Sequence, residues 1–339
     1  MPLAPLVSIG IPVFNGEAGI EKAISGLLEQ TYTNFEIVIS DNGSTDGTYE
    51  IIHRLSKMNS RIRVFRSELN RGSIWNFNKV FEESVGKYFM WAAHDDAHDP
   101  SFIAECVYAM EADSSSVLCA TQTQMKLQSS EKVIWVSSMQ SFFGKDSLHE
   151  RYRETIRNFP AVGMYGLYRR VSLAKTSLFP KVIGGDLLMI QELSIIGKFI
   201  EVPKILFTYH GRESWNTVDQ DYMTFFGKET KPRYYSPFFM VLVKQVHVLL
   251  KADVSFTERT RLFLTMFKYQ AEQFSLKLTL KILRFFLPLR YKPQTLICFY
   301  WKFMNGPNVF MVEEDLFVKR IIMPRVGLNV EYLRKKDCE

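Results

Sequence analysis

Asp95 and Asp96 close an apolar run, "KYFMWAAHDDAHDP", with His94 just before them and His98 just after. Two like charges held side by side repel and lose hydration, so a fold avoids the pairing unless something positive or water reaches both. A divalent cation, a basic side chain and plain exposure in a turn all answer that need. Mg²⁺ or Mn²⁺ shared between the two carboxylates and the phosphates of a substrate is the chemistry that suits the pair best. The competing reading is an acidic turn capping the helix after Pro100, but Asp99 already serves as that cap. His94 and His98 add nitrogen donors, although a histidine beside a turn is more often simply solvated.

Two further carboxylates stand at turns. Asp41 follows the apolar run "FEIVIS" and opens "DNGSTDGT". A carboxylate there can accept the imide N–H of uracil or thymine, and an Asx turn would use it equally well. Asp186 follows Gly184 and Gly185 at the start of a helical stretch. It suits a general base at the edge of a site, or an N-cap. The turn after the first apolar run reads "PVFNGEAG", not G-x-G-x-x-G, which disfavours a dehydrogenase-type dinucleotide site. Neither a phosphate-binding Walker pattern nor a serine nucleophile elbow is seen.

The elements that must position these residues alternate. "LVSIGIPVF", "FEIVIS", "RIRVFR" and "KYFMWAA" are short runs suited to buried strands. Between them, Ile20, Ala23, Ile24, Leu27 and Leu28, then Ile51, Ile52 and Leu55, then Trp75, Phe77, Val80 and Phe81 recur at helical spacing. Strand and helix in alternation predict an α/β fold with a doubly wound, Rossmann-like, mostly parallel sheet. In such sheets ligands bind beyond the carboxyl ends of the strands. The segments 14–16, 41–48 and 94–99 gather there. Farther on, "VLCATQT", "KVIWVSS" and "GMYGLYRR" read as strands. "GGDLLMIQELSIIGKFIEVPKILFTYH" reads as a glycine turn, a helix from Asp186 to about Ile196, and two short strands around Pro203.

The expected division is a catalytic domain over residues 1–225 and a helical, basic region over residues 226–339. From Phe238 to Leu287 there is neither proline nor glycine. A stripe from Lys277 to Lys292 suits either anionic lipid headgroups at a membrane surface or exposure to water. The 339 residues carry a formal net charge of +6, too weak by itself to argue for nucleic acid. Cys106, Cys119, Cys298 and Cys338 form no C-x-x-C pair and are expected to be reduced, as in a cytoplasmic chain. The opening "MPLAPLVSIG" lacks a signal-peptide pattern, and no apolar run is long enough to span a bilayer.

Taken together, "VSIGIPVFNGEAGIEKAISGLLEQTYTNFEIVISDNGSTDGT" and "NRGSIWNFNKVFEESVGKYFMWAAHDDAHDP" resemble the opening of family 2 glycosyltransferases, which have the GT-A fold. The resemblance runs from about Val7 to His210. It implies an inverting glycosyltransferase of bacterial polysaccharide type, with a nucleoside-diphosphate sugar as donor and a saccharide or lipid-linked acceptor. It implies that Pro12, Val13 and Asn15 line the nucleotide pocket, with Asp41 reading the base and Arg71 approaching base or phosphates. Asp95 and Asp96 fall where the family binds metal and sugar nucleotide, and Asp186 where inverting members place the general base. Many members carry an earlier aspartate where this chain has Ala93. A non-catalytic sugar-nucleotide-binding or scaffold protein on the same fold is the alternative that this departure motivates. A nucleotidyltransferase would want a basic residue in the first loop, and "PVFNGEAG" has none.

Overall fold

The computed structural model describes residues 6–127, 132–139, 142, 145–159, 161–182, 184–211, 224–226, 237–286 and 309–311. Strands β1 (Val7–Val13) and β2 (Phe35–Asp41) are buried at every position, which is why neither alternates apolar with polar. The polar exceptions satisfy each other. Ser8 Oγ donates to Glu36 Oε1 at 2.6 Å, and Arg63 donates to Glu36 Oε2 at 2.7 Å. Burial pushes the Glu36 carboxyl up, but hydrogen bonds from Ser8, Arg63 and the Val85 N–H prevail and hold it below the usual range.

Around β1 the sheet is parallel. β1 pairs with β2 on one side and with β4 (Tyr88–Trp91) on the other, and β2 pairs with β3 (Ile62–Arg66). Helices α1 (Ile20–Leu28), α2 (Thr48–Met58) and α3 (Ser73–Glu82) are the crossovers. α3 packs closely on the sheet because Gly10 has no side chain. A Cβ there would lie 2.7 Å from Val80 Cγ2 and 2.8 Å from Phe89 Cζ. The register places Val13 opposite Asp41 and Gly10 opposite Trp91, so the strand ends and the loops after them share one edge.

Past β4 the sheet becomes mixed. The chain continues through β5 (Ala97–His98), α4 (Phe102–Ala112), β6 (Ser116–Leu127), β7 (Val133–Ser137), α5 (Leu148–Asn158) and a 3-10 turn (Ala161–Tyr165). It goes on through β8 (Leu167–Arg169), α6 (Arg170–Leu173), α7 (Gly185–Ile196) and β9 (Lys198–Gly211). β8 runs antiparallel between β4 and β6, β7 is antiparallel to β6, and β9 is parallel to β6 and antiparallel to β5. At the far edge β10 (Val309–Met311) pairs antiparallel with β7.

Two local expectations are revised. β9 is one strand rather than two: its register against β6 jumps from Thr121↔Val202 to Gln122↔Ile205, and Pro203 and Lys204 bulge out. A proline that lacks an N–H is accommodated at such a bulge. α4 starts at Phe102, two residues later than the Asp-Pro signal suggests. Asp99 Oδ1 instead accepts from the N–H and Oγ of Ser101.

Helices α8 (Pro237–Lys251) and α9 (Phe256–Phe286) pack on α5 and α7. Leu249, Leu262 and Met266 are fully buried against Tyr152 and Ile156 of α5. Gln245 Nε2 donates to Gln191 Oε1 at 2.9 Å in the same contact, and Arg157 meets Glu272 at 2.6 Å. Among the described residues no helix is long and apolar enough to cross a membrane. The side chains of the Lys277–Lys292 stripe lie outside the described residues.

Because Leu249 joins three helices in one apolar contact, Leu249→Ala is expected to cost about 2–4 kcal/mol in urea unfolding. A loss under about 0.5 kcal/mol would mean that α8 and α9 are not part of the same cooperative unit.

Candidate functional site

At the edge where the parallel strands end lies a cavity of about 1430 Å³. Part of its wall comes from three loops that are far apart in sequence. Pro12, Val13 and Phe14 end β1, Asn42 and Thr45 follow β2, and residues 93–96 follow β4. These loops are tied together by side chains that the turns supply. Asn15, at φ 51°, accepts from the Thr45 N–H on Oδ1, while its own N–H donates to Ser44 Oγ. The Gly16 N–H donates to Thr48 Oγ1 at 2.8 Å. Gly16 and Gly19 lie directly against the turn that carries Asp95 and Asp96. A Cβ on Gly16 would sit 2.8 Å from His94 Cδ2, and one on Gly19 would sit 2.8 Å from the His94 carbonyl. Asn76 on α3 donates to the carbonyls of both Val13 and Ser40, fixing the ends of β1 and β2.

Asp96 is only 5% exposed. Its Oδ1 accepts the backbone N–H of His210, from the end of β9, at 2.8 Å, and its Oδ2 is buried with no hydrogen-bond partner. Burial first, then the neighbouring Asp95 charge, pushes its carboxyl well above the usual range, and the His210 N–H opposes this. Asp95 lies beside it, with Oδ1 3.9 Å from His94 Nδ1. His210 also lines the cavity, and its buried Nδ1 has no hydrogen-bond partner. Among the described residues no group of three or more His, Cys, Asp or Glu could hold a metal unaided. The unpartnered Asp96 Oδ2, beside Asp95 and on the cavity wall, nevertheless fits a hard cation whose remaining ligands are substrate phosphates and water.

Across the cavity stands Tyr165, at the end of the 3-10 turn. Burial holds its phenol well above the usual range, and the charges of Asp96, Tyr209, Asp95 and Asp186 add to this, although Asp186 does not itself line the cavity. Asp186 lies in the first turn of α7, behind Gly184 in a left-handed conformation. The N-cap position is Gly184, one turn geometry that a side chain would strain. Burial pushes the Asp186 carboxyl up, and the N–H groups of Leu187 and Asp186 pull against that.

The structure places the other expected residues as follows. Arg71 lines the cavity and stacks on Trp75, its guanidinium carbon 4.4 Å from the ring centre. Pro12, Val13, Asp95 and Asp96 line it too. Neither Asn15, which is exposed beside the cavity-lining Phe14, nor Asp41 lines the cavity. Asp41 is completely buried, with Oδ1 accepting the Ser44 N–H and Oδ2 3.3 Å from Arg66 Nε but accepting no hydrogen bond. His98 is turned into the core, packed against Phe102 and Phe207. Sequence reasoning missed His210, Tyr165 and Trp75 as cavity residues. The one available signal was the polar "TYH" ending an apolar strand segment.

The profile of the family described as Glycosyl transferase family 2 matches residues 8–175. An uncharacterized glycosyltransferase of Haemophilus influenzae is 36% identical over 111 residues, which is 33% of this chain and 34% of that protein. The putative teichuronic acid biosynthesis glycosyltransferase TuaG of Bacillus subtilis is 36% identical over 92 residues, 27% of this chain and 36% of its own. These alignments therefore span about a third of each relative's length. The crystal structure of S. aureus TarS 1-349 in complex with UDP-GlcNAc superposes with a TM-score of 0.60 at 15% identity, covering 95% of this chain and 92% of that one. At that identity the likeness speaks for the fold, which is of the GT-A type.

The placement of His98 has a measurable consequence. Burial drops its imidazole to about 3, so it is neutral in the folded state. Unfolded, it takes up a proton below about pH 6.5. Its share of stability is therefore present above that pH and is lost as pH falls toward the folded value. Urea melts at pH 7, 6 and 5 should show wild type losing about 1 kcal/mol per pH unit more than His98→Phe. Parallel pH profiles for the two proteins would contradict the buried, neutral ring.

Proposed function

The chain belongs to glycosyl transferase family 2, and we propose that it moves a sugar from a nucleoside-diphosphate sugar to a hydroxyl of a saccharide or lipid-linked acceptor, with inversion at the anomeric carbon. The observation that carries the reading is the buried, half-unpartnered Asp96 beside Asp95 on the wall of a large cavity at the strand ends. Such a pair costs stability unless a ligand uses it, and a metal-bridged diphosphate is the ligand whose chemistry fits.

In this reading the base enters between Arg71–Trp75 and the end of β1, lined by Pro12 and Val13. Asp41, buried behind that wall with Oδ2 3.3 Å from Arg66 Nε, receives an imide N–H only once binding brings the base to it. That favours uracil or thymine, and UDP-GlcNAc bound to TarS is a precedent for the donor class. Asn15 holds the first two loops in register. Asp95 and Asp96, with His210 beside them, would hold Mg²⁺ or Mn²⁺, which when bound supplies neutralising charge to the departing diphosphate. Asp186 takes the proton from the acceptor hydroxyl as that oxygen attacks the anomeric carbon from the face opposite the diphosphate. The raised Asp186 carboxyl makes it a stronger base than a solvated aspartate.

The same reading assigns residues 1–225 to catalysis. It assigns residues 226–339 to support and to contact with the cytoplasmic face of a membrane, where a lipid-linked acceptor would be met. Polysaccharide assembly at the cell surface is the process that suits this arrangement, in keeping with the name of TuaG.

Thermal-shift measurements with UDP, dTDP and GDP, each with and without Mn²⁺, test the donor site. One uridine or thymidine diphosphate should raise the melting temperature in a Mn²⁺-dependent way. The Asp95→Asn/Asp96→Asn variant should lose that rise while remaining folded. A scaffold that kept the fold without the donor site would show no shift with any nucleotide. For the base, Asp186→Asn is expected to lower transfer by about 100- to 10,000-fold while nucleotide binding is kept. Wild-type transfer should rise with pH as Asp186 ionises, with an inflection above the usual carboxylate range. An acid limb unchanged in the variant would assign the proton transfer to another group.

A further inference from the structure

A second cavity, of about 460 Å³, opens between the loop leading into α7 and one face of α8. Its chemistry is cationic. Lys244, His247 and Lys251 recur three and seven positions apart on α8, and so share a helix face. Lys181 joins them from the loop. Among the described residues neither Lys244 nor Lys251 has a carboxylate within ion-pair distance. The one carboxylate lining the cavity is Glu192, on which the His247 and Lys251 charges act but whose hydrogen bonds come from outside the cationic face. Ser177 donates to it twice, with Oγ at 2.6 Å from Oε1 and with its backbone N–H to Oε2.

The cavity adjoins the donor site. Lys181 lines both. Asp186 lies in the chain between Lys181 and Leu188, and Leu188 lines the second cavity. Asp186 itself lines neither cavity, and a group held among these cations would lie beside the loop and helix turn that carry it. Three ammonium groups and an imidazole around one small cleft match an oxyanion with several acceptor oxygens, and a phosphate supplies them with charge-assisted hydrogen bonds.

We propose that this cleft binds a phosphate carried by the acceptor, so that the acceptor is a phosphorylated saccharide or a saccharide on a phosphorylated lipid. The word acceptor rests on the glycosyl-transfer reading above. The phosphate site itself does not.

The test follows the imidazole of His247 by NMR in the full chain labelled at histidine, with its signal identified by His247→Gln. The probes are glucose 1-phosphate, and a polyprenyl phosphate in detergent micelles with empty micelles as the blank. The expected result is a saturable shift of the His247 signal, weakened about tenfold in Lys244→Gln/Lys251→Gln. Both lysines are exposed, so the variant should melt as wild type does. A response to glucose 1-phosphate alone places the phosphate on a saccharide, and a response to the polyprenyl phosphate alone places it on a lipid carrier. A His247 signal unmoved by either probe, or moved equally in the double-lysine variant, overturns the proposal. The readout needs no transfer and should persist in Asp95→Asn/Asp96→Asn, so failure of the donor reading would be seen separately.

Discussion

The arrangement of the whole edge depends on holding Asp96 out of water beside another carboxylate. Left to itself the side chain would rotate into solvent or draw in a proton, since an unpaired buried charge is among the costliest features a fold can carry. What prevents rotation is a long-range sheet contact. β5 pairs with β9 through Ala97↔Thr208 and His98↔Phe207, and this brings the His210 N–H to Asp96 Oδ1. The turn carrying the two aspartates is therefore pinned by a strand 114 residues away. His98 strengthens the pin by packing between Phe102 and Phe207, an apolar use of a polar side chain.

The opposite side of the turn is held by close backbone approach. Gly16 and Gly19 let the first loop lie against His94 and Asp95 with no side chain between them. Asn15, Ser44, Thr45 and Thr48 then lock that loop to the second by hydrogen bonds that cross between loops. Asn76 fastens both to α3. Each partner is a short polar side chain with few rotamers to lose, so the loops are ordered before any ligand arrives. Binding energy need not be spent on ordering them.

Much of this edge is legible in the chain because parallel strands bury both faces and leave short, uniformly apolar runs ending in polar turns. "LVSIGIPVF" and "FEIVIS" announce β1 and β2 nearly to the residue, and Asp95 and Asp96 stand out because an apolar run has no reason of its own to end in two charges. Legibility fades where the sheet turns antiparallel. Tyr165 and His210 reach the cavity through the pairing of β8 and β9 with strands far away in sequence, and local spacing carries no trace of such pairings. Pro203 reads as a break between strands. It is instead absorbed by a bulge opposite β6, because tertiary pairing on both sides outweighs one missing donor. Asp41 illustrates the limit for side chains: the sequence places it at a strand end, but only the structure shows one oxygen committed to Ser44 and the other accepting no hydrogen bond.

Charge is divided between the two cavities in a way that bears on Asp186. A base next to several cations would be held in its ionised form at low pH and would be a poor proton acceptor. Asp186 shows the reverse: burial raises its carboxyl, and what opposes the rise is backbone N–H groups rather than a lysine. Lys244 and Lys251 stand instead on α8, beside Glu192, whose carboxyl burial raises against the Ser177 hydrogen bonds and then the His247 and Lys251 charges. In the proposed reading, the cations on α8 attract a negatively charged substrate while no lysine charge lowers the Asp186 carboxyl. Lys181 lines both cavities, so in the proposed reading it stands between a carboxylate-lined donor site and a cation-lined phosphate site.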